Sequence, residues 1–276
     1  MTFITNFSTT YPLVWLSLVA ILGGIVGSFL NVVIYRLPII LNLHLLCEVP
    51  NQESRYLIDI KRFNLFLPRS HCPYCRCPII AIDNIPLLSF LWLKGRARCC
   101  GEHIGWVYPL VEIINIVGFL VAAQVFPLGI SLFGCWIFIS FLLVSSVIDY
   151  QTHILPDVLI LPLLWLGILF NLQGGFVDLQ QAVLGAISGY LCLWSLFWIF
   201  KLFTGKDALG YGDFKLLAAL GAWLGWQSLP LILLLASSMG GALTLVGRIW
   251  MRKDLNQPLA FGPWLAASGV ACMLIS

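Results

Sequence analysis

Two carboxylates stand where an apolar chain has least use for them. Asp213 lies in the hexapeptide GYGDFK, Gly210 to Lys215, at the head of an apolar run, and Asp149 closes the uncharged run from Leu128 to Ile148. A bare charge at the edge of lipid costs roughly 2.5 to 3.5 kcal/mol on insertion scales, so it must be hydrated, paired or protonated, and function is the default reading. Brought together in a half-desolvated site, two carboxylates do not both ionise easily. One keeps a proton while the other activates water, which is the acid–base arrangement of aspartic proteolysis. Such a pair hydrolyses a peptide bond without a metal or a nucleophilic side chain. Gly210 and Gly212 lack a Cβ, so the main chain beside Asp213 is free to approach another backbone or an extended substrate. The competing reading is an interhelical turn in which Asp213 merely caps the next helix.

The elements that must position this pair are membrane helices. Hydrophobic residues make up 60% of the 276 positions and charged ones 10%, against roughly 25% charged in a soluble domain. Windows near 20 residues, enough to cross about 30 Å of hydrocarbon, predict eight spans: Tyr11–Tyr35, Trp106–Phe126, Leu128–Ile148, Val158–Leu172, Leu179–Phe200, Phe214–Gln227, Leu229–Gly247 and Pro258–Ile275. The expected fold is an all-α polytopic membrane protein of about eight transmembrane helices, with a small cytoplasmic domain between the first and second. Its parts are residues 1–36, the first helix with the N-terminus outside; 37–105, a cysteine-containing domain; and 106–276, a seven-helix unit carrying both aspartates. The first span has no basic region before it and is too long for the apolar core of a signal peptide, so it is expected to stay as an anchor.

Threaded this way, all 15 Lys and Arg residues fall on one face, which the positive-inside rule makes cytoplasmic. Asp149 and Asp213 then lie at the cytoplasmic ends of the third and sixth spans. The net charge of +3 is a topology signal and gives no reason to expect a nucleic-acid partner.

Other polar residues invite either a role or a plain explanation. Asn31 and Arg36 lie at the inner end of the first span, whose Gly23, Gly24, Gly27 and Ser28 form a face for close helix packing; Arg36 can snorkel to the headgroups. Glu112 enters the second span with Asn115 beside it, and can reach water or serve a site. Asp157 follows Pro156 at a helix start, a structural position that could also tune Asp149. Lys215 either snorkels or acts on a nearby carboxylate by charge. The fifth span offers a second packing face in Gly185, Ser188 and Gly189, and the eighth opens irregularly at LAFGPWLA, Leu259 to Ala266.

The segment 37–105 is too small for a firm core of its own, so a structural metal would help it fold. HCPYCRC supplies Cys72 and Cys75 at the C-x-x-C spacing that grips one tetrahedral Zn²⁺. Cys99 and Cys100 supply a second pair; adjacent cysteines rarely turn both sulfurs to one metal, so the pair can instead count as one ligand. Cys77, His71 or His103 would then be the fourth.

With these residues in hand, the chain resembles the prepilin peptidase (type IV leader peptidase) family of GxGD membrane aspartic proteases. GSFLNVVIYRLP, RSHCPYCRCPI, NIPLLSFLWLKG, YPLVE, IDYQTHILPD, GYGDFK and FGPWLA fall in that family's order and at about its spacing. The resemblance implies that Asp149 and Asp213 are the catalytic pair. Gly210, Gly212, Lys215, Glu112, Asn31, Arg36 and Asp157 stand in these motifs or beside them as candidates for substrate binding or support. It further implies type IV prepilin and pseudopilin precursors as substrates, cut after a glycine that ends a short basic leader, in the bacterial cytoplasmic membrane with the site facing the cytoplasm. S-adenosylmethionine-dependent N-methylation of the new N-terminus follows in many members, and the cysteine-rich loop is associated with zinc. Here the chain departs from the pattern: Ala97 stands at the expected third cysteine in RARCCGEHIGW, so Cys72, Cys75 and Cys100 carry over and Cys99 or Cys77 must complete the set. The rival reading, a proton-coupled transporter using the same carboxylates, calls for acidic residues near the membrane midplane in broken helices; Asp149 and Asp213 are expected at one face instead.

Overall fold

In a computed structural model of the chain the described residues are 8, 10–47, 64–67, 69, 72, 75, 77–79, 86–205, 210–251 and 260–275. Among them the helices are α1 (Pro12–Cys47), α2 (Pro86–Trp92), α3 (Val107–Val125), α4 (Ile130–Thr152), α5 (Asp157–Leu172), α6 (Leu179–Thr204), α7 (Tyr211–Leu224), α8 (Leu229–Met251) and α9 (Gly262–Ile275). Every helix except the short α2 coincides with one of the eight predicted spans, and this is an all-α polytopic membrane protein. The windows Pro12–Leu41, Val107–Val125, Ile130–Thr152, Leu179–Thr204 and Trp226–Leu243 are long and apolar enough to cross a bilayer. At 1.5 Å per residue, the 16 residues of α5 and the 14 of α7 and of α9 reach only about 24 and 21 Å, short of the roughly 30 Å core. Helix α1 runs past the expected end at Tyr35 and carries Pro38 inside it. The expected span start at Pro258, with Leu259, lies outside the described residues.

The chain forms two compact units, Met1–Val121 and Ala122–Ser276. In the first, the small face of α1 lies directly on α3: a Cβ added to Gly27 would stand 3.0 Å from Glu112 Cα, and one on Gly23 3.0 Å from Ile116 Cα. Polar side chains fasten the same seam. The Asn115 amide donates to the Gly23 carbonyl at 2.7 Å and the Asn31 amide to the Tyr108 carbonyl at 3.0 Å. Each thus satisfies a donor without water, as an apolar surrounding demands.

The second unit is built around α7. Apart from the half-exposed Lys215, its residues from Asp213 to Leu224 are buried, so this helix is enclosed on all sides, as a helix apolar all round must be. Helix α6 lies nearest. A Cβ on Gly185 would overlap the Gly221 carbonyl, and one on Gly221 the Gly185 carbonyl, while one on Gly189 would stand 2.7 Å from the Leu217 carbonyl oxygen. Gly185 and Gly189 belong to the small-residue face expected of that span, and their partner is now seen to be α7. From the other side α5 clamps the far end of α7. The Asn171 amide donates to the carbonyls of Ala222 (2.8 Å) and Trp223 (3.1 Å), and its oxygen accepts from the amides of Phe176 (2.8 Å) and Val177 (3.2 Å). The Trp223 indole lies across Gly167 and donates to the Leu163 carbonyl at 2.8 Å.

Because the α6–α7 contact is backbone on backbone, no rotamer change can admit a side chain there. Gly221→Val is expected to destabilise the bundle by about 3 kcal/mol or more, the upper range of overpacking, and to lower the thermal midpoint of the purified protein by several degrees. An unchanged midpoint would show that the two helices do not meet at these glycines.

Candidate active site

Both aspartates belong to the second unit and both are buried, Asp149 at 6% exposure and Asp213 at 8%. They arrive from opposite ends of two helices. Asp213 lies in the first turn of α7, which Gly210 starts in extended geometry (φ −79°, ψ 145°), and the positive end of that helix favours a negative group there. Asp149 lies in the last turn of α4, where the dipole opposes a negative charge. Two features offset this. The helix stops at once, with His153 in the left-handed conformation (φ 54°) donating its amide to the Asp149 carbonyl at 2.8 Å. Then Gly262, the first residue of α9, donates its amide to Asp149 Oδ2 at 3.0 Å, turning the positive end of another helix toward the carboxylate. The two carboxylates lie within electrostatic reach of one another.

One apolar side chain fits between the segments that carry them. A Cβ on Gly212 would stand 2.7 Å from Leu155 Cβ, and a Cβ on Gly262 would stand 2.5 Å from Asp149 Oδ2 and 3.3 Å from Leu155 Cδ1. Leu155, in the short link from α4 to α5, therefore packs against two missing side chains, one beside each aspartate. The glycines at 212 and 262 are required by space, not by backbone angle.

Lys215 approaches neither catalytic candidate in an ion pair. Its Nζ meets Asp157 Oδ1 at 2.7 Å and Oδ2 at 2.8 Å, tying the first turn of α7 to the first turn of α5. Of the two expectations for Lys215, the second is the one seen: it sits on a nearby carboxylate, and that carboxylate is Asp157.

The remaining candidates fall in the first unit. Glu112 does not reach water: it is wholly buried, its Oε2 accepts the Leu87 amide at 2.6 Å, and Ser28 also bonds to it. Arg36 does not snorkel; it is buried and donates from Nη1 to the Asn64 carbonyl at 2.9 Å. Asn31 spans α1 to α3 as described above. Sequence reasoning missed Gly262 as a partner of Asp149, along with Leu155 and Asn171. The Gly-Pro pair at an irregular helix start was a usable signal for Gly262, and a lone amide in an apolar run was one for Asn171. Leu155 left none.

The cysteine cluster bears on the fourth ligand. The sulfurs of Cys72, Cys75, Cys99 and Cys100 all lie within 4.8 Å of one another, so both sulfurs of the adjacent pair can face one metal. A tight turn makes this possible: the Ala97 amide donates to the Glu102 carbonyl (2.7 Å), and the amide of Gly101, at φ 74°, donates to the Ala97 carbonyl (2.8 Å). Cys99 and Cys100 stand in that turn, where consecutive side chains are not thrown to opposite faces as they are in a strand. Ala97 is itself a backbone anchor of the turn. Cys77 lies outside the four and lends its carbonyl to the Cys72 amide at 2.9 Å, while His103 pairs with Arg96 in an isolated bridge. His71 lies outside the described residues.

The spacing suits a metal. Four sulfurs held tetrahedrally with bonds of about 2.3 Å sit about 3.8 Å apart, and here Cys72–Cys100 is 3.7 Å, Cys75–Cys99 3.2 Å and Cys99–Cys100 3.9 Å. Hydrogen bonds from the Cys77 backbone and the Cys99 thiol draw the Cys75 thiol down to about 6. Cys99, held in its bond to Cys75, is pushed up to about 12.

A helical membrane protein that brings two buried carboxylates together at helix ends is of the class of membrane aspartic peptidases. Two family models cover most of the chain: the Bacterial Peptidase A24 N-terminal domain matches residues 21–126 and the Type IV leader peptidase family residues 136–245. Full-length relatives agree. The chain is 51% identical to a prepilin leader peptidase/N-methyltransferase of Pectobacterium carotovorum subsp. carotovorum, covering 98% of this chain and 97% of that protein. It is 48% identical to a protein of the same name from Dickeya chrysanthemi (98% and 96%) and 50% identical to one from Klebsiella pneumoniae (84% and 95%). No solved structure matches. The chain belongs to the type IV leader peptidase family.

The Gly262 contact generates a direct test. Gly262→Ala places a methyl group 2.5 Å from Asp149 Oδ2, too close to be kept without a shift, and a displacement of about 1 Å at a reacting centre costs on the order of 10²-fold. Leader cleavage by purified Gly262→Ala is expected to fall by about that factor with its thermal midpoint nearly unchanged. Full activity would show that Asp149 does not depend on this contact.

Proposed function

We propose that Asp149 and Asp213 are the catalytic pair of this membrane peptidase and that it removes the leader from type IV prepilin and pseudopilin precursors. The reading is supported above all by two carboxylates, 64 positions apart in the sequence, that are both buried and come within electrostatic reach of each other at helix ends. Near-complete length identity to proteins named prepilin leader peptidase/N-methyltransferase supplies the substrate class.

The chemistry follows from the pair. One carboxylate takes a proton from a water molecule as its oxygen attacks the scissile carbonyl carbon, while the other protonates the carbonyl oxygen. Collapse of the tetrahedral species breaks the C–N bond, and a proton delivered to the nitrogen releases the new amino terminus. Gly262 holds Asp149 in place through this cycle. The Lys215–Asp157 clamp holds the first turn of α7, and with it Asp213. A substrate whose own apolar helix lies in the bilayer presents its scissile bond at the membrane edge, with the basic leader left in the cytoplasm. The distribution of Lys and Arg supports a site on the cytoplasmic side of the bacterial inner membrane.

Methylation of the released amine is the second activity borne by the relatives' names, with S-adenosylmethionine as methyl donor. No step above runs through that donor. Zinc is the metal whose ligand preference and geometry best suit Cys72, Cys75, Cys99 and Cys100, where it would cross-link the turn at 97–102 to the Cys72–Cys75 segment. Nothing in the family matches or in the geometry favours the transporter reading.

Two measurements test this. Asp149→Ala and Asp213→Ala should each abolish leader removal from a co-expressed prepilin, read by mass spectrometry, while membrane insertion is retained; substantial cleavage by either refutes the pair. Purified protein should carry about one zinc per chain, and Cys99→Ser and Cys100→Ser should each lose most of it. Zinc retained in Cys99→Ser would return the adjacent pair to a single ligand.

A further inference from the structure

The short helix α2 and the turn after it were expected to belong to a soluble domain. Two contacts fix them elsewhere. The Leu87 amide in the first turn of α2 is held by Glu112, and Phe90 packs on Trp106 with ring centroids 4.6 Å apart. Those two anchors, Trp106 just before α3 and Glu112 within it, are six residues apart, about 9 Å along the axis. Helix α2 is therefore strapped against the opening turns of a helix long and apolar enough to cross the bilayer. By length and composition, that end is the depth at which the helix would enter lipid.

What this strapped segment exposes matches that depth. Leu91 is 68% exposed, Trp92 85% and Trp106 76%, large apolar surfaces that water does not favour. Tryptophan at the start of a membrane helix is characteristic of the interfacial belt. Immediately after Trp92 come Lys94, Arg96 and Arg98, all exposed. Arg36, five residues beyond Asn31 on α1, holds a second apolar tip near the same level: Phe66 and Leu67 are exposed, on a turn closed by their amides bonding to Asn64 Oδ1 at 2.8 and 2.7 Å.

We infer that α2 and the 93–104 turn form a membrane-surface foot, with Leu91, Trp92 and Trp106 in the interfacial layer and Lys94, Arg96 and Arg98 on anionic phospholipid headgroups. The occupant of this apolar face is lipid. The face is continuous with the membrane-crossing surface of α3, and the adjoining charges are of the sign that anionic headgroups attract, each worth about 1 kcal/mol near such a surface. Through the same segment the foot would set the height of the cysteine cluster, since Cys99 and Cys100 follow Arg98 directly.

The test uses the full chain with a benzophenone amino acid at position 92, reconstituted in nanodiscs of phosphatidylcholine alone or mixed with phosphatidylglycerol. Ultraviolet light should give lipid adducts at position 92 by mass spectrometry, several-fold more on phosphatidylglycerol in the mixed discs, and Lys94→Glu/Arg96→Glu should remove that preference. As an independent readout, brominated lipid should quench the native protein's fluorescence more than that of Trp92→Phe. Adducts to a second copy of the chain, lipid adducts indifferent to headgroup charge, or equal quenching of the two proteins would each overturn the inference.

Discussion

The structure depends on enclosing a short helix that begins with a carboxylate. Helix α7 is apolar enough to be buried on every side, yet Asp213 stands in its first turn. Enclosure strips solvent from that group, and only backbone-to-backbone packing against α6 brings the walls so close. Gly185 and Gly221 make that approach possible from both sides of the contact. At the far end, Asn171 spends its hydrogen-bonding capacity on carbonyls and amides that would otherwise be orphaned in an apolar medium, where each unsatisfied group costs several kcal/mol, and the Trp223 indole finds its acceptor in the Leu163 carbonyl. The helix is thus fixed at both ends and along one side, and its one acidic residue has a single place to be.

Asp149 reaches the same region under the opposite electrostatic condition. It closes a helix where Asp213 opens one, and it relies on the amide of Gly262 to supply what its own helix withholds. Leu155 lies between the two segments and fits only because glycine occupies positions 212 and 262. Proximity of the carboxylates is therefore a property of the packing around them. They need not attract one another, and do not.

Much of this was legible in the sequence. Eight apolar runs gave eight helices because in a bilayer every backbone amide must be satisfied within its own segment, so hydropathy translates directly into helix. The matched aspartates, the small-residue faces of the first and fifth spans and the metal-type cysteines were also readable as residue types at given spacings. What could not be read was pairing across the fold. That Lys215 clamps Asp157, that Glu112 is sealed against Leu87 and that Arg36 is buried beneath Asn64 are facts of tertiary position, for which residue type gives only a range of options. Whether the adjacent Cys99 and Cys100 both face one metal was left open for a related reason. Their convergence is set by the turn at 97–102, whose geometry depends on bonds from Ala97 to Glu102 and Gly101.

The claim on which the account turns is that residues 149 and 213 face each other across the α4 and α7 ends within the membrane. Asp149→Cys/Asp213→Cys, in a chain whose other cysteines are replaced by serine or alanine, can be treated in native membranes with a short bifunctional maleimide and then cut between the two positions by an engineered protease site. The account predicts that the fragments stay joined, and that moving one cysteine to the lipid-facing Trp165 lets them separate. Fragments that separate equally in both proteins would contradict it.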